Sequence, residues 1–202
     1  MLLSIDETVE ILTVMKTNDL KSYVRSVLKE QARKEYARVS LSFKKTDLSP
    51  VKSEETLDYH YGTLYKAYVD KANAGEGGAF QVAGAFLHGI YFSQFKPPAG
   101  ANKPTGPFLA LVEKRYGDYD KFRDQVKEVA MKIQGSGWVY MDTKGAIKTI
   151  VNHETRPDIC LLIDWWEHAW ALDYQADKKK YLDNIWKIID WEKINARLVT
   201  EE

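Results

Sequence analysis

Apolar positions recur along most of this chain at the three-to-four-residue spacing of helices and give way to alternation after Gly137. Within residues 1 to about 45, two such stretches, Asp6 to Met15 and Asp19 to Arg38, predict an amphipathic helical extension. The second is crowded with Lys, Arg and Glu around Leu20, Val24, Val27 and Leu28. Pro50 breaks the pattern, and Ser53 is placed to cap a new helix whose first turn holds Glu54 and Glu55, where the helix dipole favours acids. Leu57, His60, Leu64, Tyr65 and Tyr68 keep helical spacing until Asn73, Gly75, Gly77 and Gly78 stop it. Phe80 to Phe95 predicts the returning arm of a helical hairpin.

The run KPPAGANKPTGP is a loop by its prolines and glycines, and helices are expected near Phe108 to Tyr116 and Tyr119 to Gln134. GWVYMDTKGAIKTIVN then alternates around Lys144 and Gly145 and is rich in Val, Ile, Thr and Tyr, which predicts a β-hairpin. Ile159 to Ile163 is a continuous apolar run, expected as a buried strand closing a three-stranded antiparallel sheet. Two tryptophan-rich helices, around His168 to Tyr174 and Lys180 to Leu198, finish the chain. The expected class is α+β: a helical extension (1–45), an N-terminal α-helical hairpin (46–98), and a C-terminal half (99–202) in which helices flank the sheet.

Composition narrows the function. With 45% hydrophobic and 12% aromatic residues, 202 residues can bury a core. Lys plus Arg equals Asp plus Glu at 29 each, so no global field favours nucleic acid or an anionic membrane, and neither is expected as a partner. The single Cys160 cannot form an internal disulfide, and MLLSIDETVEILTV has acids where a signal peptide needs a basic segment. A cytoplasmic protein is expected.

Only four histidines are present. His60 and His88, each on an apolar helix face, read singly as hydrogen-bonded core residues, and His153 as a solvated turn residue. Asp164 is different, because a carboxylate ending a buried strand beside Trp165 and Trp166 is costly unless it is paired, bound to a cation, or used as a helix cap. Both the ligand and the cap reading stand. Together His60, His88, Asp164 and His168 form an N3O donor set suited to iron, manganese or zinc, and spacing alone does not name the reaction.

DWWEHAWALDYQ resembles the D-x-W-E-H signature of the iron/manganese superoxide dismutases. DLSPVKSEETLDYHYGTLYKAYV is similar to that family's first helix, FQVAGAFLHGIYF to its second, GSGWVYM to its first strand and WKIIDWEKI to its last helix. The resemblance implies one Fe or Mn ion per chain, held by His60, His88, Asp164 and His168. It implies Tyr68 as gateway tyrosine, Trp138 and Trp166 lining the metal pocket, and His153 as a group tuning the metal through a hydrogen bond, with Gly84 leaving room for it. It implies superoxide as substrate and a homodimer or homotetramer in which Glu167 bridges to the partner. Lys66 and Lys178 are candidates to attract the anion. Leu64, Ala171, Phe92, Ala85 and a shortened hairpin depart from the family's pattern, and the extension is expected to occupy the space that hairpin leaves. The alternative is a non-enzymatic structural or binding protein on the same fold.

Overall fold

The computed structural model describes Ser22 and residues 35–199. The chain divides into two compact units, Met1–Glu35 and Tyr36–Glu202. The expected helix Asp6 to Met15 and most of Asp19 to Arg38 lie outside the described residues. Where the second expectation can be compared, Ser22 is helical as expected and 35–38 is not. The competing force is tertiary. Tyr36 and Asn73 exchange two hydrogen bonds (2.8 and 2.9 Å), Val39 N donates to the Tyr65 hydroxyl (3.1 Å), and the Tyr61 hydroxyl donates to Val39 O (2.7 Å). A strap thus held along the hairpin satisfies its backbone outside itself, and helical periodicity in a charged stretch is a weak opponent.

Helix α1 begins at Glu54–Leu57, where the Ser53 side chain accepts from Thr56 N. It widens into a π-helical stretch over Asp58–Tyr65 and resumes as Lys66–Ala74, ending at Gly75. Turns of this wider kind often mark functional sites, and this one carries His60. Helix α2, Gly78–Ser93, returns against it. Helix α3, Gly106–Tyr116, has a proline in its first turn, and α4, Tyr119–Met131, is capped by the Asp118 side chain.

The sheet has the order β2-β1-β3, all antiparallel, with β1 Gly137–Asp142, β2 Ile147–Val151 and β3 Ile159–Asp164. The hairpin turn needs Gly145, whose φ of 84° disfavours any side chain. Asp142 Oδ1 accepts from the backbone N–H groups of Lys144 and Ala146 and holds the turn. Strands β1 and β3 are buried along their whole length, so β1 is covered on both faces although its residues suggest a two-sided strand. Trp138 pairs with Asp164 across this register, bringing the pocket's indole beside its carboxylate.

After a 3-10 turn, Glu167–Ala169, come the short α5, Ala171–Tyr174, and α6, Lys178–Ile185. Another 3-10 turn, Trp186–Ile188, precedes α7, Trp191–Val199. The periodicity from Lys180 to Leu198 predicts one helix, but Lys96 N donates to Ile188 O and Asp190 N to Gln94 O. These backbone bonds capture the middle of the segment and split it.

Candidate metal centre

His60 comes from the π-helical part of α1, His88 from the middle of α2, Asp164 from the last position of β3 and His168 from the turn that follows. One donor atom from each lies within 4.8 Å of the others. Asp164 Oδ2 is 3.1 Å from His60 Nε2, 3.3 Å from His168 Nε2 and 3.8 Å from His88 Nε2. None of these four atoms has a hydrogen-bond partner among the described residues, and His60, His88 and Asp164 are fully buried. Four orphaned polar atoms converging in a dry core would cost several kcal/mol unless a cation satisfies them. The donor set therefore fits an iron- or manganese-sized ion.

Local bonds aim these donors. His88 Nδ1 donates to Gly84 O (2.7 Å), which leaves Nε2 without a proton and turned to the cluster. Asp164 Oδ1 accepts from Trp166 N (2.8 Å) while Oδ2 faces the imidazoles; the expected helix cap is replaced by this turn bond, because the 3-10 turn Glu167–Ala169 follows Trp166 and has no side-chain cap. Burial opposes ionisation of Asp164, but the neighbouring His168 and His60 outweigh it and hold the carboxyl well below its usual range. Burial, reinforced by His168, pulls His60 well below the ordinary imidazole value, and burial pulls His88 down to about 3. The imidazoles of His60 and His88 are thus neutral near pH 7, the state in which they bind metals.

A second layer surrounds the donors. Trp138 Nε1 donates to His153 Nδ1 (3.2 Å), and His153 Nε2 lies 3.0 Å from the Tyr68 hydroxyl. An indole N–H can only donate, so His153 Nδ1 accepts, Nε2 carries the proton, and Tyr68 Oη receives it. The Trp166 ring stacks on His153 (4.6 Å) and on His168 (5.7 Å). The space opposite Gly84 goes to Tyr68, since a Cβ there would sit 2.5 Å from the Tyr68 ring, whereas the expectation gave that room to the group arriving from the sheet.

Glu167 is exposed and, with Tyr59, His168, Leu172 and Lys178, lines a surface cavity of about 600 Å³. Lys178 Nζ rests over the Trp170 and Trp165 rings, and Lys66 pairs with Asp70 on the exposed side of α1. Two neighbours escaped the sequence reading. Phe80 lies with its ring 4.7 Å from that of His153, and its position about two turns before His88 on one helix was the available signal. Lys52 is completely buried. No helix of the described residues is long and apolar enough to cross a membrane.

Comparison with known proteins adds an independent line. Residues 104–197 match the family described as iron/manganese superoxide dismutases, C-terminal domain. A superoxide dismutase of Porphyromonas gingivalis, named for manganese and iron, is 31% identical, the alignment covering 79% of this chain and 97% of that one. An iron superoxide dismutase of Bacteroides fragilis is 29% identical, over 81% and 99% of the two chains. One of Sulfolobus acidocaldarius, also named for iron, is 30% identical, over 82% and 94%.

Proposed function

Because the chain belongs to the iron/manganese superoxide dismutase family, we propose that it converts two superoxide ions and two protons to dioxygen and hydrogen peroxide. The observation that carries this reading is the convergence of four unpartnered donor atoms from His60, His88, Asp164 and His168. When bound, one iron or manganese ion supplies reversible one-electron exchange, oxidising one superoxide and reducing the next.

The chain's own residues supply what the ion lacks, namely protons and a dry, shaped pocket. Burial, helped by the charge of Asp164, pushes the Tyr68 hydroxyl up to about 12, and burial pulls His153 down to about 4. Both are therefore neutral at pH 7. With His153 donating to Tyr68 Oη, the phenolic proton is free to point into the pocket, and Tyr68 is suited to pass it to the reduced product. Trp138 fixes the tautomer that makes this direction possible. Tyr68→Phe removes the relay without touching a donor atom. It is expected to keep one metal per chain while lowering turnover at high superoxide by about tenfold or more; loss of the metal in this variant would place Tyr68 in a structural role instead.

We read the assembly as a homodimer or homotetramer, since Glu167, Tyr59 (46% exposed) and Leu172 (49% exposed) surround a cavity beside His168 that a second copy would close. A cytoplasmic location is supported by the lone Cys160, which leaves no internal disulfide to form; recovery of the protein from an extracytoplasmic fraction would contradict it. The test of the function is elemental analysis of the purified protein with superoxide decay and sedimentation measured on the same sample. About one iron or manganese per chain, with activity lost on chelation, is expected. A chain that stays inactive after reconstitution with either metal would overturn the reading, and a monomer at micromolar concentration would overturn the assembly.

A further inference from the structure

Lys52 precedes the cap of α1 and is fully buried, among the largest wholly enclosed side chains of the described residues. Its ammonium donates to Ala169 O at 2.6 Å, directly after His168. It lies 5.1 Å from the ring centroid of Tyr181 and 5.5 Å from that of Tyr91. Those two hydroxyls are 3.0 Å apart, and the Tyr181 hydroxyl donates to Asp164 O at 3.0 Å. The flanking residues hold the same segment, because Tyr174 Oη donates to Val51 O (2.7 Å) and Ser53 N to the Asp173 carboxylate (3.2 Å).

This placement is expensive if it is only packing. An ammonium has three donors, a buried one costs several kcal/mol, and among the described residues no carboxylate forms a direct ion pair with it. The backbone clasp from Val51 and Ser53 would hold the Ala169–Tyr174 segment with an apolar side chain between them. What only a lysine or arginine adds is charge. Burial lowers its pKa to about 8, while Asp164 and then Asp173 hold it up, so it is charged at neutral pH. The Tyr91 centroid is 5.4 Å from that of His60, which puts the ammonium within roughly 11 Å of the His60 ring with aromatic carbon between.

We propose that Lys52 is a positioning residue for the metal centre, its buried ammonium setting a positive potential that draws anions to the metal and opposes the metal's own binding. This rests on His60, His88, Asp164 and His168 holding the ion. An effective dielectric of about 20 and a separation of about 10 Å give roughly a tenfold effect on the affinity of a unit anion.

The test uses the full iron-loaded protein and azide as the anionic probe, followed by absorption, with metal retention measured by chelator competition. Lys52→Met and Lys52→Gln should each bind azide about tenfold more weakly yet keep the metal as tightly as the parent or more tightly, and Lys52→Arg should restore azide affinity to within about threefold. The opposite movement of the two affinities separates charge from packing, because a loosened site would lose both. Weakened metal and azide together, or unchanged azide affinity in whichever neutral variant folds, overturns the proposal. A parent chain that takes up no iron or manganese overturns the metal reading itself, and this inference with it.

Discussion

Asp164→Ala is expected to strip metal and activity together, lowering metal affinity by about 100-fold or more. The substitution removes the only anionic donor of the four and also the oxygen that accepts from Trp166 N, so the turn carrying His168 loses its anchor. Loss of a buried hydrogen bond to a charged acceptor costs about 2 kcal/mol of stability. Asp164→Asn separates the two contributions, since an amide oxygen can still accept from Trp166 N but carries no charge towards the imidazoles. Asn should hold the fold near the stability of the metal-free parent and still fail to keep the metal through dialysis against chelator. Elemental analysis of both variants decides it, and one metal per chain in either would remove Asp164 from the donor set.

Acidification of the metal-free protein is expected to have the second large effect. In the unfolded chain an imidazole titrates near 6.5, whereas burial pulls His88 down to about 3 in the folded one. Between these values the unfolded state binds a proton that the folded state refuses, so stability is full above about pH 6.5 and falls as pH drops. At pH 5 the loss from His88 alone is about 2 kcal/mol relative to pH 7. His60, shifted in the same direction, adds to it. Asp164, held below its ordinary range, adds a further loss only below about pH 4, as the unfolded carboxyl protonates. Urea midpoints at pH 7 and 5 in the presence of chelator measure this, and a flat profile would mean that the imidazoles are hydrated or already protonated.

The parts of the fold that were legible in the sequence are those where local pattern and tertiary demand agree. The β1–β2 hairpin was readable because alternation, β-branched residues and the Gly145 turn all favour it, and β3 because Ile159 to Ile163 has no polar face. The pattern failed where distant groups claimed a segment, as the backbone of Gln94 and Lys96 does around Ile188 to Asp190, and as the side chains of Asn73 and Tyr65 do around Tyr36 to Val39. At the centre, no histidine declared itself alone. His60 and His88 look like core residues from their helix faces, and only the four-residue constellation, together with family resemblance, singled them out. Lys52 was missed because a lysine in a loop beside glutamates reads as solvated. Its position was nevertheless informative: it directly precedes the Ser53 cap, where an apolar residue commonly packs against the first turn of a helix.

The placement of the four donors has a consequence for durability. His60 and His88 lie on the hairpin, Asp164 ends the last strand of the sheet, and His168 follows it. An ion held by all four is a reversible cross-link between segments remote in sequence, and one that the unfolded chain cannot form in the same geometry. By mass action, each tenfold rise in free metal above the dissociation constant adds about 1.4 kcal/mol to the folded state. The stability of the fold then rises with metal supply, so the loaded protein should outlast the metal-free one.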